Sequence, residues 1–94
     1  NLEKGKVVLV DVRDKADYVS ERIPGAINIP LPELEKNLAT LPKNKTIVTY
    51  CWHAACAMAP KAALFLAEKG FKVQELPGGL ERWKNKFPTE GAAV

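Results

Sequence analysis

Apolar residues in this chain fall into short runs separated by charged or turn-forming residues, and each run predicts an element. Val7-Val8-Leu9-Val10 is continuous, mostly β-branched and bounded by polar positions. That predicts a strand buried on both faces, as in a parallel sheet. Asp14 is placed to cap a short helix running to about Ser20. Pro24-Gly25 marks a turn, and Ala26-Ile27-Asn28-Ile29 predicts a second short strand. Leu34, Leu38 and Leu41 recur at helical spacing after Pro32 and stop at Pro42, which predicts a helix. Thr46 to Tyr50 predicts the third strand, and Pro60 to Lys69 a helix closed by Gly70. Lys72 to Leu76 predicts a fourth strand, Pro77-Gly78-Gly79 a loop with a tight turn, and Leu80 to about Lys86 a last helix. Gly91 to Val94 is expected to be loose. Strands alternating with helices imply an α/β architecture with a mainly parallel central sheet.

Composition narrows the picture little but excludes several classes. With 94 residues, 47% hydrophobic and 27% charged, the chain has the make-up of one ordinary globular domain spanning 1–94. It opens on Asn1-Leu2-Glu3-Lys4-Gly5, which resembles the tail of a helix, so an upstream element is expected in a longer chain. No apolar run approaches the roughly 20 residues of a membrane span, and no basic-then-apolar leader pattern is present. The net charge of +3 comes from scattered lysines and arginines, with no basic block or aromatic-basic stripe, which argues against nucleic acid as a partner. A cytoplasmic setting is expected, because two cysteines do not make a disulfide scaffold.

The chemistry is concentrated at Cys51. It follows the third strand and precedes a charge-free stretch, Trp52-His53-Ala54-Ala55-Cys56-Ala57, before the next helix. A cysteine between the carboxyl end of a strand and a helix amino end meets backbone N–H groups that favour the thiolate, its nucleophilic form. The small side chains from Ala54 to Ala57 would let the loop curl with its amides inward, so Trp52 to Ala57 form the expected substrate cradle. No cofactor is expected, because the cysteine sulfur can itself form the covalent intermediate. No metal site is expected, since one His and two Cys within six residues lack the separated pairs that structural zinc favours.

The segments Leu9-Val10-Asp11-Val12-Arg13, Ile23-Pro24-Gly25-Ala26-Ile27-Asn28-Ile29-Pro30, Tyr50-Cys51, Gly70-Phe71 and Leu76-Pro77-Gly78-Gly79-Leu80-Glu81-Arg82-Trp83 occur in order. Together they resemble the rhodanese-like (sulfurtransferase) domain family from about Val7 to Trp83. The resemblance implies a mainly parallel sheet with helices on both faces. It also implies a Cys51 persulfide that takes sulfane sulfur from a donor such as thiosulfate or a persulfide and passes it to a thiol or cyanide. The chain departs from the family's pattern in three places. Ala54, Ala55, Cys56 and Ala57 stand where a Gly and an Arg or Ser are usual. The interval from Cys51 to Gly70 is about two residues longer than usual, and Ser20-Glu21-Arg22 replaces a Gly-His pair, a change expected to affect a turn.

Several residues carry two readings. Cys56 is either a small core-facing residue or a resolving thiol for Cys51. His53 either stabilises the thiolate and donor oxygens or is an ordinary loop ring. Lys61 either attracts an anionic donor or faces solvent, and Trp52 walls the pocket, packs under the loop or serves a partner. Asp11 and Arg13 at the end of the first strand are expected to fix adjacent loops by charge-assisted bonds rather than to touch substrate. Phe71 and Trp83 are expected in the core. The leading function is sulfur transfer through Cys51, with a small-molecule donor, and a partner domain is expected if the chain is part of a longer one. A dithiol redox or sensor module using Cys51 and Cys56 and a non-catalytic interaction domain are the alternatives. A cysteine-dependent phosphatase ranks last, because no Arg lies between Cys51 and Lys69 to grip phosphate.

Overall fold

The computed structural model describes residues 6–52 and 56–91. Four strands, β1 (Val7–Asp11), β2 (Ile27–Asn28), β3 (Thr46–Tyr50) and β4 (Lys72–Glu75), form one sheet in the order β2-β1-β3-β4. Every pairing is parallel, with Leu9 opposite Val48 and Ile47 opposite Val73. Parallel strands need crossovers. These are α1 (Lys15–Ser20), two 3-10 segments (Leu31–Glu33 and Glu35–Thr40) and α2 (Met58–Glu68), and α3 (Gly79–Lys84) follows β4.

Alternation along the strands assigns the two faces. Val8 and Val10 of β1 and Ile47 of β3 join Leu34, Leu41, Ala62 and Leu66 under α2 and the 3-10 segments. Val7, Leu9, Val48 and Tyr50 point the other way, against Tyr18 of α1 and Leu80 and Trp83 of α3. Helices therefore cover both faces, which is why the strands read as continuous apolar runs rather than alternating ones. Phe71 belongs to the first core and Trp83 packs at the edge of the second.

Three details differ from the expectation. The expected helix around Leu34, Leu38 and Leu41 is built of 3-10 turns, although Leu34 and Leu41 are buried as the spacing required. Its backbone bonds run from Asn37 N–H to the Leu34 carbonyl and from Leu41 N–H to Leu38. The Asn37 side chain donates to the Glu33 carbonyl and Thr40 to Asn37, which competes with regular α-helical bonding. Helix α2 starts at Met58 rather than Pro60. This puts Pro60 in the first turn, where its missing N–H costs no intrahelical bond. Asp14 occupies the cap position of α1 with an extended backbone, but its side chain makes no capping bond.

The chain moves outward from β1 to β2 and, in the opposite direction, from β3 to β4. The sheet's switch point therefore lies between β1 and β3, and ligands of open α/β sheets gather beyond the strand ends at such a point. Cys51 is the residue directly beyond β3.

Candidate active site

Cys51 is 2% exposed, held where β3 gives way to the loop before α2. Its carbonyl accepts from Leu80 N–H at 2.9 Å, and the Trp52 carbonyl accepts from Glu81 N–H at 2.8 Å. The first turn of α3 thus clamps the end of β3. Gly78 makes that approach possible: its φ of 75° swings the chain from β4 into α3, and a Cβ there would lie 2.5 Å from the Cβ of Arg82. On the other side, Thr49 donates to the Ala59 carbonyl at 3.0 Å, fixing the amino end of α2 beside the strand. Ala57 at that end provides no side-chain cap, so helix N–H groups remain to favour negative charge near Cys51.

Cys51 opens into a cleft of about 540 Å³ between the start of α2 and the turn joining β4 to α3. Cys56 lines the same cleft and is joined to Cys51 by a disulfide, with the two Cα atoms 6.5 Å apart. Both cysteines are thus oxidised, and Cys56 also packs against the apolar core under α2. Cys56 thus faces both the core and the cleft. The opposite wall carries Leu76, Gly79, Glu75, Glu81 and Arg82. None of these was singled out as a site residue from sequence. Their signal was the Pro-Gly-Gly turn after β4, which the sheet order brings next to Cys51.

The remaining expected site residues divide. Lys61 lines a separate groove with Leu31, Pro32, Glu35 and Phe65, and is not among the residues lining the Cys51 cleft. The helix turns it outward, because α2 buries Ala59, Ala62 and Leu66 instead. Ala57 sits at the start of α2, and its carbonyl accepts from Lys61 N–H. Trp52 lies over the guanidinium of Arg13, 4.4 Å from carbon to ring centre, and does not line the cleft. His53, Ala54 and Ala55 lie outside the described residues.

Asp11 and Arg13 are both fully buried and form a charged pair beyond β1. Arg13 donates from its backbone N–H and Nε to Asp11 Oδ1, both at 2.9 Å, and from Nη2 to Oδ2 at 2.6 Å. Nη2 also donates to the Glu21 carbonyl, anchoring the turn after α1. Nη1 has no hydrogen-bond partner among the described residues, and the Trp52 face covers the group. Burial works against the Arg13 charge, but the bonds and charge of Asp11 outweigh it and hold the guanidinium above its ordinary value. The Asn28 amide donates to the Asp11 and Arg13 carbonyls, both at 3.0 Å, so β2 braces the same loop. Beneath it, Tyr50 accepts from Ile23 N–H through its hydroxyl, which burial pushes well above its ordinary value.

A parallel sheet with a strand-end cysteine beside a helix amino end, opposite a Gly-Gly turn, defines an α/β domain with a cysteine pair in its strand-end cleft. Comparison with known proteins makes the class specific. The family profile "Rhodanese-like domain" matches residues 1–86, and the chain belongs to that family of sulfurtransferase-related domains. It is 35% identical to the thiosulfate sulfurtransferase GlpE of Coxiella burnetii, over 97% of this chain and 84% of that protein. It is 45% identical to an HTH-type transcriptional regulator of Mycobacterium tuberculosis over 87% of this chain, but spans only 36% of that protein. Among solved structures, the BH2092 protein of Bacillus halodurans matches with a TM-score of 0.88 and 44% identity, covering 94% of this chain and 66% of that one.

Proposed function

We propose that this chain is a rhodanese-type sulfurtransferase that carries sulfane sulfur on Cys51. One observation carries this reading: Cys51 lies at the carboxyl end of β3, beside the amino end of α2, and opens into a cleft large enough for a small donor. In the reduced protein, the Cys51 thiolate attacks the sulfane sulfur of thiosulfate or of a low-molecular-weight persulfide. The sulfur–sulfur bond of the donor breaks, sulfite or a thiolate leaves with the electron pair, and Cys51 becomes a persulfide. A thiol or cyanide acceptor then takes the outer sulfur and returns the thiolate. The helix amino end stabilises both anionic forms of Cys51, and Arg82 on the far wall supplies a cation for an anionic donor.

Asp11 and Arg13 serve as positioning residues in this reading, holding the loops on which Cys51 and Trp52 are carried. The relation to GlpE supports thiosulfate as a donor. The relation to the mycobacterial regulator supports a place beside a partner domain in a longer protein. A reducing cytoplasm would keep the reacting thiol available.

Intact mass of the reduced protein after exposure to thiosulfate or to glutathione persulfide tests the carrier. Cys51→Ser should never gain a sulfur atom, whereas Cys56→Ser should gain one. Sulfur loading of Cys51→Ser at the level of Cys56→Ser would end the proposal.

A further inference from the structure

The disulfide between Cys51 and Cys56 is not used by a simple sulfur carrier, and it sits inside the cleft where the carried sulfur would lie. We propose that Cys56 is a resolving thiol that discharges the Cys51 persulfide as hydrosulfide, making the domain a sulfane-sulfur reductase as well as a transferase. The inference rests on the Cys51 carrier reading and adds an acceptor that belongs to the protein.

Position supports it first. The two Cα atoms are 6.5 Å apart, within the span a disulfide bridges without backbone movement. A residue that only filled the core would face away from the cleft, yet Cys56 lines it together with Cys51. The surroundings support it as well. Cys56 lies two positions before the first residue of α2, so the same helix amino end that favours a thiolate at Cys51 acts on Cys56. A nucleophile so close to the persulfide reacts intramolecularly, ahead of acceptors arriving from solution.

The step balances without an outside oxidant. The Cys56 thiolate attacks Sγ of Cys51, the Cys51 sulfur–sulfane bond breaks, and the outer sulfur leaves as hydrosulfide with the bonding electron pair. The sulfane sulfur is reduced to sulfide while the two cysteine sulfurs are oxidised to the disulfide seen in the structure. Hydrosulfide leaves readily because it is a weaker base than a cysteine thiolate. A dithiol reductant then supplies two electrons and two protons, becomes a disulfide itself, and restores both thiols. The oxidised form is therefore a resting stage of the cycle, closed to new donor until reduced.

Sulfide release under anaerobic conditions decides the matter. Fully reduced wild type, Cys51→Ser and Cys56→Ser, each checked for folding by circular dichroism, are mixed with thiosulfate and separately with glutathione persulfide. Protein-free controls are subtracted. The donor that loads Cys56→Ser is the one used to judge the wild type. Wild type should release one hydrosulfide per chain and finish at the mass of the reduced protein less two hydrogens. Cys56→Ser should keep the mass of one added sulfur and release hydrosulfide at least about tenfold more slowly. Three results overturn the proposal. A wild type that keeps the added sulfur with Cys56 still reduced defeats the resolving step but leaves the carrier intact. A disulfide formed with no hydrosulfide assigns the pair to plain thiol oxidation. Failure of Cys56→Ser to load from either donor removes the carrier and the resolving step together.

Discussion

Replacing Asp11 with Asn preserves shape and removes the one charge that balances Arg13, so it isolates the worth of the buried pair. Arg13 is fully buried, and Asp11 supplies three of its four donor contacts described above, the Glu21 carbonyl taking the fourth. Removing one partner of a buried pair leaves an uncompensated charge and costs about 3–5 kcal/mol. A chain of 94 residues has a folding stability of about 5–14 kcal/mol, so this one change removes a large part of it. With a urea slope of about 1.5 kcal/mol per M, the unfolding midpoint should fall by about 2–3 M. The reciprocal Arg13→Met should cost a similar amount, because it strands the Asp11 carboxylate.

The double variant Asp11→Leu with Arg13→Met separates charge from packing. Apolar replacement of both members of a buried pair is often neutral or stabilising. Here the Arg13 N–H and the Glu21 carbonyl lose partners as well, at about 1–3 kcal/mol for each group left buried. The double variant should therefore cost about as much as either single one, well short of the sum of the two. Urea unfolding followed by far-ultraviolet circular dichroism measures all four proteins. Additive losses, or an Asp11→Asn cost below about 1 kcal/mol, would refute the view that this pair braces the loops around Cys51.

Tyr50 makes the domain sensitive to alkali. Its hydroxyl is pushed above the ordinary 10.0 by burial, so in the unfolded chain it ionises first, and its share of stability is complete below pH 10 and lost as pH rises beyond it. Tyr50→Phe should flatten the fall in stability above pH 10 in a pH series of thermal melts, at a neutral-pH cost of about 1–3 kcal/mol for the orphaned Ile23 N–H. Glu21 acts at the acid end. The Thr89 hydroxyl, 2.8 Å away, holds its carboxyl below the ordinary 4.5; burial opposes this and Lys84 assists. That stability is present above pH 4.5 and lost as pH falls through the lowered value, so Glu21→Gln should flatten the acid limb of the same series. In α2, Leu66 is fully buried and Leu64 is 63% exposed. Leu66→Ala should cost about 2–5 kcal/mol and Leu64→Ala under about 0.5 kcal/mol in urea unfolding, and equal costs would contradict the assigned face.

The parallel sheet was legible because burial on both faces leaves a direct mark. Val7 to Val10 and Thr46 to Tyr50 lack the polar alternation that a half-solvated strand would show, and the structure packs helices on both sides of them. Spacing also marked Leu34 and Leu41 as buried. What spacing did not reveal was the 3-10 geometry, because Asn37 and Thr40 act through side-chain bonds to nearby carbonyls rather than through periodicity. The helix start was misplaced by reading Pro60 as the first residue, although a first turn accepts proline at more than one position. The far wall of the cleft was hidden for another reason. Arg82 and Glu75 are brought to Cys51 by the adjacency of β3 and β4, a property of strand order that the Pro-Gly-Gly turn marks without saying which strand lies beside it.

Cys56 marks the boundary between what a sequence implies and what it leaves open. Five residues of extended chain would span about 17 Å, yet the Cα of Cys56 lies 6.5 Å from that of Cys51. Any residue at position 56 is therefore brought to the cleft that Cys51 lines. An alanine there would only line the wall. A cysteine there gives the cleft a second sulfur, so under the proposed function the fate of a persulfide on Cys51 depends on the identity of one side chain that the fold would have placed there anyway.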